Sequence, residues 1–291
     1  MKLFACMCNQ PQRLAAALAP VRPTLVAQPP ISRWGFGYVQ GGDVLLARTP
    51  KASATPIDLA GPLTEIATDC AIALAVNDAR GLYSGTDNTP PFRYRRWLFA
   101  QSGAELQVKG PNGLVPVSHP GEASAKLLEH VPEYLRRNIR GRTPSEIIFH
   151  VFLSMLHDGG NIDDPNLPTA ATRRALAATL HLVGTELAKL DVPPGSLALG
   201  NIALTNGRSM VVARLDEPLR LRRLTVSNDK GEPLPTQATT TTTGGNVDAF
   251  RGVLLVSGGD GEASEGFEDV PPRHAVLVNR DLSISFAELV P

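Results

Sequence analysis

The stretch Arg96-Trp97-Leu98-Phe99-Ala100-Gln101-Ser102-Gly103 carries four apolar residues between a charged approach and a small polar turn. A short apolar run containing two aromatics and closed by glycine predicts a buried strand that stops at Gln-Ser-Gly. Whether that strand end is a site depends on what the rest of the chain brings to it. On its N-terminal side lies the Gly/Asn/Pro-rich loop 80–92, RGLYSGTDNTPPF, preceded by an apolar strand core within Ile66 to Val76.

Further back, Trp34-Gly35-Phe36-Gly37-Tyr38-Val39 and Val44-Leu45-Leu46-Ala47 flank Gln40-Gly41-Gly42-Asp43, which predicts a hairpin. Leu3 to Cys8 predicts a buried strand, and residues 11–21 a short helix opened by Pro11 and closed by Pro20. On the C-terminal side the period changes. Thr143-Pro144-Ser145-Glu146 ahead of IIFHVFLSMLHDGG predicts a helix with a threonine cap, and 170–190 predicts a second helix. Beyond Pro194 strands return at 196–207, 209–215, 252–259 and 274–281, with Thr239 to Gly245 read as a loop. Strands, two central helices and then strands predict two sheets with helices outside, not alternating βαβ units. The chain reads as one domain, 1–291.

Lys+Arg and Asp+Glu both number 28, and this balance argues against nucleic acid or an anionic membrane surface as partner. The content of 43% hydrophobic and 19% charged residues predicts a folded globular chain. Three cysteines, Cys6, Cys8 and Cys70, have no framework spacing and suit a reducing, cytoplasmic setting. The apolar start is interrupted by Asn9-Gln10-Pro11-Gln12-Arg13, too soon for a leader of the usual kind, and no window reads as a membrane span. Cys6 and Cys8 lack the second pair a metal site needs, and His150 and His157, on one helix face, read as ordinary residues. The acidic, Gly-rich segment 258–269 lacks calcium-loop spacing and reads as a solvated loop. No phosphate loop or nucleophile elbow appears, so no cofactor or metal is expected.

Taken in order, the segments resemble the class II glutamine amidotransferase-like proteins of the N-terminal-nucleophile hydrolase superfamily. LFACMCNQP is similar to the family's opening, and RWGFGY to its Asp-Gly-Trp-Gly-Ile-Gly-Tyr. DARGLYSGTDNTPPF resembles the His-x-Arg-x-Ala-Thr-x-Gly segment with its Asn-x-x-Pro-Phe. RWLFAQSG resembles Trp-x-Phe-Ala-His-Asn-Gly, and GRTPSEIIF resembles Gly-x-Thr-Asp-Ser-Glu-x-x-Phe. LTNGRSMVVAR and the closing VLLVSGG and VPPRHAVLVNRDL fit the later strands, so the likeness spans nearly the whole chain. It implies a four-layer αββα sandwich of two mainly antiparallel sheets, and glutamine-amide hydrolysis by an N-terminal cysteine whose own α-amine is the base.

The implied machinery is mostly replaced. Met1, followed by Lys2, stands where the nucleophile belongs. Cys6 and Cys8 share one face of the strand and read as small buried hydrophobes; the alternative is that processing exposes one of them as nucleophile. Arg80 matches the arginine that clamps the glutamine carboxylate, the bland alternative being a surface contact with Asp78. Asp78 replaces the family's His, and Tyr83 its Thr. Gln101-Ser102-Gly103 replaces His-Asn-Gly, so the oxyanion amide is lost while Gly103 can still donate. Pro144 replaces the Asp that receives the ammonium, and Ser32-Arg33 the Asp-Gly before Trp34-Gly35. The sequence therefore predicts a degenerate glutaminase with a vestigial pocket at Arg80, Gln101, Ser102 and Gly103. As such it would serve as a binding or regulatory module for a small carboxylate such as glutamine, or for a protein partner.

Overall fold

The computed structural model describes every residue except 79, 80, 104, 105, 112, 194, 226–248, 259–264, 290 and 291. Two large sheets dominate. The first runs, edge to edge, Glu268–Asp269, Leu219–Leu224, Gly252–Ser257, Lys2–Cys8, Cys70–Val76, Arg33–Gln40 and Asp43–Thr49. The second runs Ile284–Glu288, His274–Val278, Met210–Ala213, Ile202–Thr205, Trp97–Gln101 and Phe92–Tyr94. Every strand pairing in both is antiparallel.

The strand Lys2–Cys8 is central because it is apolar and buried from Leu3 to Cys8, so it can be covered on both faces. Alternation then sorts its side chains. Leu3, Ala5 and Met7 enter the core between the sheets, with Leu98, Ala100, Ala203 and Val212 from the facing sheet. Phe4, Cys6 and Cys8 point to the outer face, under the short helix Leu14–Leu18 and its flanking 3-10 turns. The outer face of the second sheet meets the helices Pro120–Glu129, Pro144–Asp158 and Thr169–Ala188. There Phe99 stacks on Phe149 at 5.1 Å, and Trp97 meets Phe152 edge-on at 5.4 Å. The helix–sheet–sheet–helix order is the expected αββα arrangement, with one outer layer holding, among the described residues, a single five-residue helix and 3-10 turns.

Several elements differ from the sequence reading. The run 196–207 is two strands, broken where Gly200 adopts φ +67°. Its first half, Leu197–Ala198, pairs with Gln107–Gly110 in a separate three-stranded sheet whose outer strand is Gly113–Pro116. Helix Pro120–Glu129 was not legible, since Ala123 and Leu127 are its only buried residues. Strand Leu219–Leu224, LRLRRL, hides a period of two behind its arginines. The strand expected within Ile66 to Val76 starts only at Cys70.

The loop read at 239–245 lies outside the described residues. The end of segment 258–269 is not merely solvated: Glu268–Asp269 adds an edge strand, and Glu268 pairs with Arg223. His150 and His157 part company, because His150 sits 1% exposed in mid-helix while the last turn carries His157 out of the core. Among the described residues, no helix is long and apolar enough to cross a membrane.

Candidate functional site

The strand Trp97–Gln101 ends against the break in 196–207, which supplies polar backbone to the turn. The Ser102 N–H donates to Asn201 O at 2.8 Å. In return, the Asn201 N–H donates to Ser102 Oγ at 2.7 Å, and Ser102 Oγ donates to Glu217 Oε2 at 3.1 Å. The one proton of the hydroxyl is thus committed to Glu217. Burial raises the Glu217 pKa above the usual carboxylate range, against the pull of the amino-terminal charge and of Ser102.

Gln101 Nε2 donates to Leu199 O at 2.7 Å, while its Oε1 is buried without a partner. Gly103 packs on the Leu199 carbonyl so closely that a Cβ would stand 2.6 Å from that oxygen. Its own carbonyl accepts from Ser145 Oγ at 3.0 Å. That bond ties the strand end to the start of helix Pro144–Asp158.

The helix start is built from scaffold contacts. Thr143 Oγ1 accepts the Glu146 N–H at 3.2 Å, the N-cap the sequence predicts. The Glu146 carboxylate turns back to accept from Arg140 N at 3.0 Å and Gly141 N at 2.7 Å. Asn88 Oδ1 accepts from Arg142 N at 2.7 Å, joining this loop to the 3-10 turn Thr86–Asn88. Each retained motif residue here has an internal partner.

Between these elements lies a buried ion pair. Arg33 Nη1 donates to Asp78 Oδ2 at 3.0 Å, with side-chain exposures of 4% and 0%, and Arg33 Nε donates to Asn88 O at 3.1 Å. Burial works against the Asp78 charge, but the Tyr83 N–H and the Arg33 guanidinium outweigh it and hold the pKa below the usual range. Asp78 is therefore an interior partner of Arg33; the contact considered between Asp78 and Arg80 lies outside the described residues. The space beside the pair, bounded by Arg33, Asn88, Gln101, Gly103, Thr143 and Ser145, is a cavity of only about 10 Å³. Such a volume holds about one water molecule.

Of the expected pocket residues, Gln101 and Gly103 line this cavity, Ser102 does not, and Arg80 lies outside the described residues. A far larger space nearby is an open cleft of about 1120 Å³ between Pro29–Arg33, Pro50 with Ala52–Ala54, and the flanks of residues 79–80. Cys6 and Cys8 are elsewhere, in the outer core, 0% and 5% exposed. Burial, and then neighbouring Cys8, push the Cys6 thiol well above its ordinary range, and burial pushes Cys8 up to about 12.

Two site residues were not picked out from the sequence. Glu217 lies in an unremarked loop far along the chain. Arg33 carried a usable signal: a cation in a position matched to glycine and an anion in one matched to histidine are charge-complementary replacements.

No family model and no curated protein sequence matches the chain. Solved structures do. It is similar to a glutamine aminotransferase class-II domain protein from Silicibacter pomeroyi, at 14% identity over 100% of both chains with a TM-score of 0.53. It is similar to a predicted glutamine amidotransferase from Pseudomonas aeruginosa, at 14% identity over 98% of this chain and 99% of that one, TM-score 0.51. It also matches the glutamine phosphoribosylpyrophosphate amidotransferase of B. subtilis, at 10% identity over 99% of this chain and 49% of that one, TM-score 0.52. Identities this low speak to architecture: the chain has the α+β, N-terminal-nucleophile hydrolase fold of class II glutamine amidotransferase domains.

Proposed function

We propose that this is a class II glutamine amidotransferase-like module whose glutamine site is filled by its own side chains, so that it binds or regulates and does not hydrolyse glutamine. The observation that carries this reading is the cavity of about 10 Å³ between the strand end and the helix start, walled by the paired Arg33. Small-molecule sites usually enclose about 300–1,000 Å³. The engagement of Ser102 by Glu217 and Asn201 supports the same reading, because a hydroxyl held there does not serve an oxyanion beside Gln101.

The burial of both candidate cysteines weakens the alternative of an active amidohydrolase exposed by processing. Cleavage before Cys6 would remove Lys2 to Ala5, which pair with Ile72–Ala75 on one side and, from Leu3 onward, with Leu255–Ser257 on the other. The sheet would lose the first four of the seven residues of its central strand. The proposed ligand remains a small carboxylate or a protein partner; for Arg80 as its clamp, the support is the sequence motif alone.

The test is ammonia release from L-glutamine by the purified protein. The expected rate is that of the buffer. Enzyme-like turnover that is abolished by Cys6→Ser or Cys8→Ser would overturn the reading and restore the processed enzyme.

A further inference from the structure

A second cavity, of about 360 Å³, opens at the other side of Pro29–Ile31, on the outer face of the seven-stranded sheet. Its walls mix the apolar Val26, Ala27, Pro29, Pro30, Ile31, Ala75 and Val76 with the polar Gln28 and Asn77, and Met1, Lys2 and Gly258 also line it. Among the described residues, no carboxylate lines it. Lys2 is placed there by strand alternation, on the same face as Phe4 and Cys6, and it is half-buried.

Its partner is unusual among the described lysines. Lys109, Lys126 and Lys189 each pair with a carboxylate, those of Asp216, Glu129 and Glu186, and Lys51 is exposed. Lys2 Nζ donates to a neutral backbone acceptor, Gly258 O, at 2.5 Å, and forms no ion pair among the described residues. Burial, and then the charge of Arg220, lower its pKa. An ammonium without a counter-ion gives up its proton more readily. The neutral amine keeps one N–H on Gly258 O and has its lone pair free.

We propose that Lys2 is a carbonyl-reactive amine and that this cavity takes a small aldehyde or ketone with an apolar body, held as a reversible Schiff base. The neutral Nζ adds to the carbonyl carbon as the C=O π pair moves to oxygen, and a proton passes from nitrogen to that oxygen to give a carbinolamine. Loss of one water molecule then leaves the Nζ=C imine, and hydrolysis returns amine and carbonyl. The volume lies within the range of small-molecule sites, the apolar part of the wall, Val26 to Ile31 with Ala75 and Val76, favours the body of the ligand, and no described carboxylate re-pairs the lysine. This site is separate from the filled cavity at Gln101, and its fate does not depend on whether glutamine is hydrolysed.

The full chain is incubated with benzaldehyde at pH 7.5, trapped with borohydride and mapped by peptide mass spectrometry. The expected result is reductive benzylation of the Lys2 side chain at least tenfold faster than of Lys51. The Lys2 rate should rise with a midpoint below that of Lys51 as pH increases. Val26→Phe, which narrows the cavity without altering the lysine, should slow Lys2 labelling and leave Lys51 unchanged. Lys2 labelled no faster than Lys51, label confined to an α-amine, or a Lys2 rate indifferent to Val26→Phe in a folded variant would each overturn the proposal.

Discussion

Asp78→Asn offers the sharpest probe of the proposal that side chains fill the glutamine site. The substitution keeps size and shape but removes the charge that Arg33 faces at 3.0 Å, with both side chains at most 4% exposed. The Arg33 guanidinium then remains buried, with the Asn88 carbonyl to receive its Nε and no counter-ion for Nη1. Removing one partner of a buried pair typically costs about 3–5 kcal/mol, whereas replacing both with well-packed apolar groups is often near neutral. For a chain of this size a loss of that order lowers Tm by roughly 10 °C.

The linkage has a definite sign. Because the folded pKa of Asp78 is depressed, its contribution is present above the ordinary carboxylate pKa of about 3.9 and is lost as pH falls through the lower folded value. Urea titrations of wild type, Asp78→Asn, Arg33→Met and Arg33→Met/Asp78→Leu at pH 7 measure the terms. Both single variants should lose on the order of 3 kcal/mol, and the double variant clearly less than their sum. Single losses under about 1 kcal/mol that simply add would refute the ion pair as the element that fills the site.

Further outcomes follow from the same geometry. Ser102→Ala should cost about 1–3 kcal/mol in urea titration, because it strands the buried Asn201 N–H that now donates to the hydroxyl. Thr143→Ala should cost about 1 kcal/mol by loss of the cap on the Glu146 N–H, with no change in the urea m-value. All three thiols are buried and raised, Cys8 and Cys70 to about 12, so a thiol reagent at pH 8 should label none of them in the folded chain and all of them in denaturant. Fast labelling of Cys6 or Cys8 in the native protein would count against their role as core residues.

The fold was legible where apolar runs are unambiguous. Leu3 to Cys8, the hairpin around Gly41-Gly42, the strand ending at Gln101 and the Thr143 cap all stand where their patterns put them. Helix Pro120–Glu129 escaped because it buries little, and Leu219–Leu224 because arginines paired with the acidic edge strand mask its alternation. The site was legible in its losses more than in its replacements. Motif comparison marks which positions depart from the family pattern, but not that Arg33 and Asp78 meet across 45 residues, or that Glu217 takes up Ser102 from 115 residues away. Those contacts depend on how the strand ends converge, which local periodicity does not encode.

The most direct measurement is a crystal structure of the protein grown with saturating L-glutamine. The account predicts density for the Arg33 guanidinium between Asp78 and the Asn88 carbonyl, with at most a single water beside Gln101. Glutamine bound between Gln101–Gly103 and Thr143–Ser145, with Arg33 displaced from Asp78, would contradict it.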